Sequence, residues 1–143
     1  MTELEALDVL MVLRAGLPNA YLKLTEADTA AMVSLWAEMF AEYPGDLVAA
    51  AAKTYIWNEK SGRFPSPAAI RDEIDYIRRV VNQCAFGATL QEYMGEASKR
   101  FPAPVRAYID GAARQRHQEL YGRPFTSQAE KLEAHRMRAL AGG

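Results

Sequence analysis

The side chains that run acid–base, nucleophilic or metal chemistry are sparse in this chain, and their spacing does not suit it. His117 and His135 lie 18 positions apart on separate expected helices, with polar neighbours. A shared zinc would need further carboxylate or thiolate ligands at a recognisable spacing, and none stands there. Asp72, Glu73 and Asp75 form an acidic cluster of the kind that paired-carboxylate catalysis uses. Asp75 also has Arg71, Arg78 and Arg79 at three- and four-residue spacing, so solvated ion pairs on a helix explain the cluster. Cys84 is the single cysteine, which excludes a disulfide or a cysteine zinc site within the chain. Beside Ala85 and Phe86 it reads as a small buried apolar residue. There is no G-x-x-x-x-G-K-[ST], no H-E-x-x-H, and no G-x-G-x-x-G after a strand. The expectation is a protein that is not an enzyme and that needs no cofactor or metal.

Binding chemistry is better represented. Residues 1–98 carry 8 Lys and Arg against 14 Asp and Glu, whereas residues 99–143 carry 9 against 4. A body of net charge −6 is thus followed by a segment of +5, although the whole chain is near neutral at −1. Such asymmetry suits a partner-binding segment or a nucleic-acid contact, and complementary faces of one molecule would also produce it. Within the basic segment, Arg114, Arg116, Tyr121, Phe125, Arg136, Met137, Arg138 and Leu140 are the expected partner-binding residues. Arg and Tyr are enriched at interfaces, and Met and Leu can anchor a helix in a groove.

The elements that must position these residues are helical almost throughout, and no strand pattern emerges. Thr2 and Glu5 form a capping box ahead of Leu4, Leu7, Leu10 and Met11, and Gly16-Leu17-Pro18-Asn19 ends that helix. Thr25 opens a second helix with the stripe Met32, Leu35, Trp36, Met39 and Phe40, stopped by Tyr43-Pro44-Gly45. A third runs from Leu47 to about Asn58, with Val48, Ala51, Ala52, Tyr55 and Ile56 facing a neighbour that its small residues let approach. A fourth, from Pro67 to about Val81, aligns Ile70, Ile74, Ile77 and Val81. Residues 88–99 and 104–121 predict two more. Ser127 or Thr126 would cap a last helix, Gln128 to Leu140, charged almost all round and weakly stable by itself. That helix is expected to fray or to order on a partner.

The motif R-F-P-x-P occurs at Arg63–Pro67 and again at Arg100–Pro104. In both copies an aromatic precedes a proline suited to the first turn of a helix. Ser66 is a good N-cap, whereas Ala103 is a poor one. Two copies fall short of the three or more that a solenoid needs, so they read as two helix entries pinned by a phenylalanine. The fold class expected is all-α. A compact bundle of about four helices over residues 1–83 precedes a helical, partly flexible C-terminal region over 84–143.

The order of motifs from Leu4 to Ile74 resembles the bacteriophage replicative-helicase loader/inhibitor family. T-E-x-D…L-W-x-x-M-F-x-x-Y-P spans Thr25–Pro44, D-L-V-A-A-A-A-x-x-Y-I spans Asp46–Ile56, and F-P-S-P-A-A-I-R-D-E-I spans Phe64–Ile74. The match rests on Trp36, Tyr43, Val48, Ala51, Tyr55, Phe64, Pro65, Pro67, Ala69 and Ile70. Ser66-Pro67 stands where the family more often has Pro-Thr. The match covers about half of the chain, mainly at core positions, and residues 75–143 do not share it. The resemblance implies a non-enzymatic adaptor in phage DNA replication. It would bind a hexameric replicative helicase, control its loading or activity, and deliver it to an origin-binding initiator protein. Family helicase contacts lie chiefly in the C-terminal region, so binding would depend on residues 112–143.

Two other functions fit the same sequence. One is a helical DNA-binding regulator. The Glu59–Ser66 turn is longer than a helix-turn-helix uses, and the next helix opens Pro-Ala-Ala-Ile without a base-reading side chain. The other is a phage head or tail structural or assembly protein. No apolar run approaches the ~20 residues of a membrane span. Glu3, Glu5 and Asp8 occupy the place of a signal peptide's positive region, so a cytoplasmic location is expected, in the host if phage-encoded.

Overall fold

The structure, a computed structural model, describes residues 1–21 and 25–142. Among them are seven α-helices and no strand, which makes the fold all-α. They are α1 (Glu3–Gly16), α2 (Glu26–Met39), α3 (Gly45–Asn58), α4 (Pro67–Cys84), α5 (Leu90–Met94), α6 (Ala103–Tyr121) and α7 (Gln128–Gly142). Short 3-10 helices cover Pro18–Tyr21 and Gly95–Arg100, so residues 88–99, expected as one helix, instead form a single α-turn and a tighter coil. The chain divides into two compact units, Met1–Ile77 with Arg100–Val105, and Arg78–Lys99 with Arg106–Gly143.

Helix starts follow local chemistry. The Thr2 hydroxyl accepts from Glu5 N at 3.2 Å and the Glu5 carboxylate accepts from Thr2 N at 3.0 Å. Thr25 with Asp28 and Thr89 with Glu92 form the same reciprocal pair. These bonds satisfy amides that a helix leaves without an internal partner. They also hold the carboxyls of Glu5 and Asp28 below their ordinary range. Ser66 Oγ accepts from Ala69 N at 3.2 Å, and α4 begins at Pro67 as expected. The second proline entry differs by one residue. α6 starts at Ala103, where Pro102 O accepts from Val105 N, so Pro104 sits at the second helical position.

In the first unit α1 packs on α2 and α3. Its buried residues are Ala6, Val9, Leu10 and Leu13, whereas Leu4 and Met11 are exposed. α1 is apolar over most of its circumference, so spacing alone leaves its rotation open. Small residues on α3 decide it, with Ala50, Ala51 and Ala52 buried beside Leu47, Val48 and Thr54. On α2 only Trp36 is fully buried, followed by Phe40 at its C-cap, while Leu35 and Met39 are exposed. Trp36 lies between two rings, Phe40 at 5.3 Å and Phe64 at 5.8 Å. The second motif phenylalanine, Phe101, stacks on Tyr76 at 5.7 Å, and the Arg100 guanidinium lies 4.8 Å from the same Tyr76 ring. Arg100 also bonds both carboxylate oxygens of Glu73, at 2.9 and 3.1 Å. Both copies of R-F-P-x-P therefore insert their phenylalanine into one unit. Along α4, Ile70, Ile74, Ile77, Val80 and Cys84 are buried, with Val80 taking the place expected of Val81. Of the ten residues that carry the family resemblance, Trp36, Val48, Ala51, Pro65 and Ile70 are buried, and Tyr43, Tyr55, Phe64, Pro67 and Ala69 are half-buried.

One close approach yields a stability prediction. A Cβ at Gly16 would stand 2.6 Å from Ile56 Cδ1 and 2.7 Å from Ile56 Cγ2. Gly→Ala in a helix ordinarily gains up to ~1 kcal/mol. Crowding at this distance forces α1 and α3 apart, and overpacking costs about 1–3 kcal/mol. Gly16→Ala should therefore lower the urea midpoint, and an increase would show that Ile56 simply rotates away.

Candidate partner-binding surface

The expected binding residues lie on α6, α7 and their joint, all in the second unit. Gly122 ends α6 with φ +66°, a left-handed turn that glycine makes without strain, and its N–H donates to Gln118 O at 2.8 Å. Ser127 then caps α7, its Oγ accepting from Glu130 N at 3.1 Å.

The joint is pinned by a buried cluster. His117, expected in polar surroundings, is only 7 % exposed. Its Nδ1 bonds Ala85 O at 2.7 Å, and since a carbonyl only accepts, Nδ1 carries the proton. The imidazole lies 4.7 Å from the Tyr121 ring and meets Phe125 edge-on at 5.4 Å. Phe125, expected at a partner surface, is instead also only 7 % exposed, with the Arg114 guanidinium 4.6 Å from its ring centre. The sequence neighbours of His117, Arg116 and Gln118, point elsewhere, so its burial depends on Ala85 and Phe125 arriving from other segments.

Two carboxylates fasten the start of α7. Glu130 pairs with Arg114 at 2.7 Å, and Glu92 Oε2 accepts from Gln128 N at 2.9 Å. The hydrogen bond from Arg114 holds Glu130 below the ordinary carboxylate value of 4.5. Partial burial pushes Glu92 up, but the bonds from Thr89, Gln128 and Ala129 outweigh it and hold Glu92 below 4.5 as well. Both groups bind protons less readily folded than unfolded. Their stabilisation is complete above the unfolded value and fades as pH falls through the lower folded values. Hydrogen exchange at residues 128–131 should accelerate, beyond the intrinsic rate change, between about pH 6 and about pH 3. Glu92→Gln should shrink that response, and unchanged protection would show that the start of α7 is held by other contacts.

Past Glu130 the helix is exposed through Gly142. Leu132, Met137 and Leu140 are 69 %, 55 % and 71 % exposed. At 3.6 residues per turn they fall within an arc of about 140°. Arg136 lies within that arc and pairs with Glu133 at 2.9 Å, whereas Arg138 projects from the far side. Arg136, Met137 and Leu140 are thus brought together on one face. Arg116 and Tyr121 meet elsewhere, lining one groove with Phe86, and Arg114 and Phe125 belong to the joint. Leu132 and Phe86 are not among the partner-binding residues expected from the sequence. Leu132 was legible as one of three sizeable apolar residues on α7, and Phe86 as an aromatic beside a glycine turn.

In the first unit, exposed Trp57 borders a 260 Å³ groove with Lys53, Ile56, Pro102 and Pro104. Cys84 is fully buried, and burial, with Asp110 and Glu92 adding negative charge, pushes its thiol up to about 11. A thiol so placed is protonated at neutral pH and a poor nucleophile. Among the described residues no group of three or more His, Cys, Asp and Glu side chains is arranged to hold a metal, and no helix is long and apolar enough to cross a membrane. No protein-family model, curated protein or solved structure matches the chain.

Proposed function

We propose that this protein is a non-enzymatic adaptor of phage DNA replication. In this reading it binds a hexameric replicative helicase in the cytoplasm and controls its loading or activity, with α7 as the docking element. The observation that carries the reading is the exposed arc of Leu132, Met137 and Leu140 beyond the point where α7 is fastened. Large apolar side chains on one face of a projecting helix suit burial in a partner's groove. The resemblance of residues 4–74 to the helicase loader/inhibitor family supports the choice of partner.

The mechanism is mass action. The adaptor binds one state of the helicase and shifts the population toward it by its differential affinity. Nucleotide dependence then resides in the helicase, and handover to an origin-binding initiator follows when the initiator competes for the complex. The test is size-exclusion with light scattering, mixing the full chain with the helicase of the same genome, with and without a non-hydrolysable ATP analogue. A stoichiometric complex that depends on nucleotide is the expected result. Large homo-oligomers without helicase binding would move the reading to a head or tail assembly protein.

A further inference from the structure

The two units differ in charge. Counted from the sequence, the first carries 7 Lys and Arg against 12 Asp and Glu, and the second 10 against 6. The second unit is therefore net +4 and also holds an exposed aromatic groove. Asn82, Phe86, Arg116, Leu120 and Tyr121 line about 320 Å³ of it. Phe86 is 67 % exposed, and Leu120 and Tyr121 are about half exposed. Arg123 lies 5.8 Å from the ring of Tyr121, a lining residue, and Arg116 makes a long, exposed 3.5 Å pair with Glu119 that a phosphate can replace.

The exposure of Phe86 is built in. It stands on the turn after α4, where Gly87 N and Ala88 N both donate to Cys84 O, at 3.0 and 3.1 Å. Gly87 has φ +125°, a conformation that other residues avoid. Ala85 is fully buried, and its carbonyl is bonded by His117. With the residues on either side fixed, Phe86 is held outward on a rigid turn. Together with the exposed Leu120 and Tyr121 it forms one apolar patch, and a contiguous exposed patch of this kind marks a binding surface.

We propose that this groove is a single-stranded nucleic-acid site, in which Phe86 and Tyr121 stack on bases and Arg116 and Arg123 meet the flanking phosphates. A single strand repeats one flat ring and one negative charge per nucleotide, and the groove pairs two rings with two guanidinium groups. An acidic peptide has the charge without an obligatory ring and would leave Phe86 unused. The volume is at the low end of the ~300–1,000 Å³ of small-ligand sites, enough for one or two bases rather than a whole ligand. Stacking is tolerant of sequence, so little base preference is expected, whereas salt dependence should be strong. The site stands on the second unit alone and does not depend on the helicase reading.

The experiment is fluorescence anisotropy of a fluorescein-labelled oligo-dT of about 15 nucleotides, titrated with the full chain. Binding should weaken steeply between about 50 and 300 mM KCl. Phe86→Ala should weaken it about tenfold, and Arg116→Ala should flatten the salt dependence as well. Both residues are surface positions, and circular dichroism confirms that the variants fold. Four results would each overturn the proposal: no binding at about 100 µM protein, a duplex bound as tightly as the single strand, Phe86→Ala bound as well as the parent, and polyglutamate competing as well as unlabelled oligo-dT. The last would assign the groove to an acidic protein segment.

Discussion

Ending the chain after Glu130 should abolish the nucleotide-dependent complex with the helicase, an affinity loss of about 100-fold or more. The residues removed include Leu132, Met137 and Leu140, and burying such a side chain fully is worth ~1.5–3 kcal/mol. Three of them supply ~4.5–9 kcal/mol, and losing even ~3 kcal/mol of that weakens binding by about 100-fold. The shortened chain keeps Ser127, Glu130 and the Phe125–His117 contact, so its melting temperature should fall by less than about 2 °C. That pairing of lost binding with retained stability separates a docking helix from a structural one. The double variant Leu132→Ala, Leu140→Ala should reproduce much of the loss, because it removes apolar area while keeping every charge. If the shortened chain still forms the complex, the docking surface lies elsewhere and the assignment of α7 fails. If it melts much lower, α7 contributes to folding and its exposed side chains lose their functional meaning.

Phe40→Ala should produce the largest stability change in the first unit, about 3–5 kcal/mol. Phe40 is 2 % exposed and lies between the Trp36 ring at 5.3 Å and the Tyr43 ring at 6.0 Å. Removing it leaves a cavity beside Trp36, which is itself rigid and cannot collapse far. Against a total stability of ~5–15 kcal/mol this is a large share. The melting temperature should drop by roughly 10–20 °C. Trp36 emission should shift to the red at lower denaturant, best read in a Trp57→Phe background because Trp57 is exposed. Phe40→Leu keeps most of the volume and should cost about 1–2 kcal/mol. An effect of Phe40→Ala below ~1 kcal/mol would mean that the aromatic cluster is loosely packed and that the core of this unit sits elsewhere.

The adaptor and nucleic-acid readings make separable predictions. Phe86→Ala leaves α7 intact, so it should bind helicase normally while binding oligo-dT about tenfold more weakly. The chain shortened after Glu130 should do the opposite, since the groove residues precede the cut. A chain that performs both could hold a helicase and a single strand on one unit.

Much of the local structure follows from short-range rules, and these need only neighbours in sequence. Thr2 with Glu5, Thr25 with Asp28, Ser66 before Pro67, and Ser127 before α7 each cap a helix where the residue types say they should. A capping bond spans three residues and forms in whatever surroundings the helix finds. The all-α class and the basic character of the C-terminal segment are fixed in the same way by composition and periodicity. Burial was not legible to the same degree. Leu4, Met11, Leu35 and Met39 sit on stripes that spacing marks as inner and are exposed, while Ala6, Val9 and Leu13 are inside. A helix apolar on most sides can present several faces, and the rotation goes to whichever lets α1 approach the small residues of α3. His117 makes the same point for the site. Its neighbours in sequence are polar, yet Ala85, 32 positions earlier, and Phe125, eight later, enclose it. The tertiary structure alone converts Phe125 from an interface residue into a core one and turns Phe86 outward. Burial depends on which distant segments meet, whereas capping and periodicity are decided within a few residues of the chain.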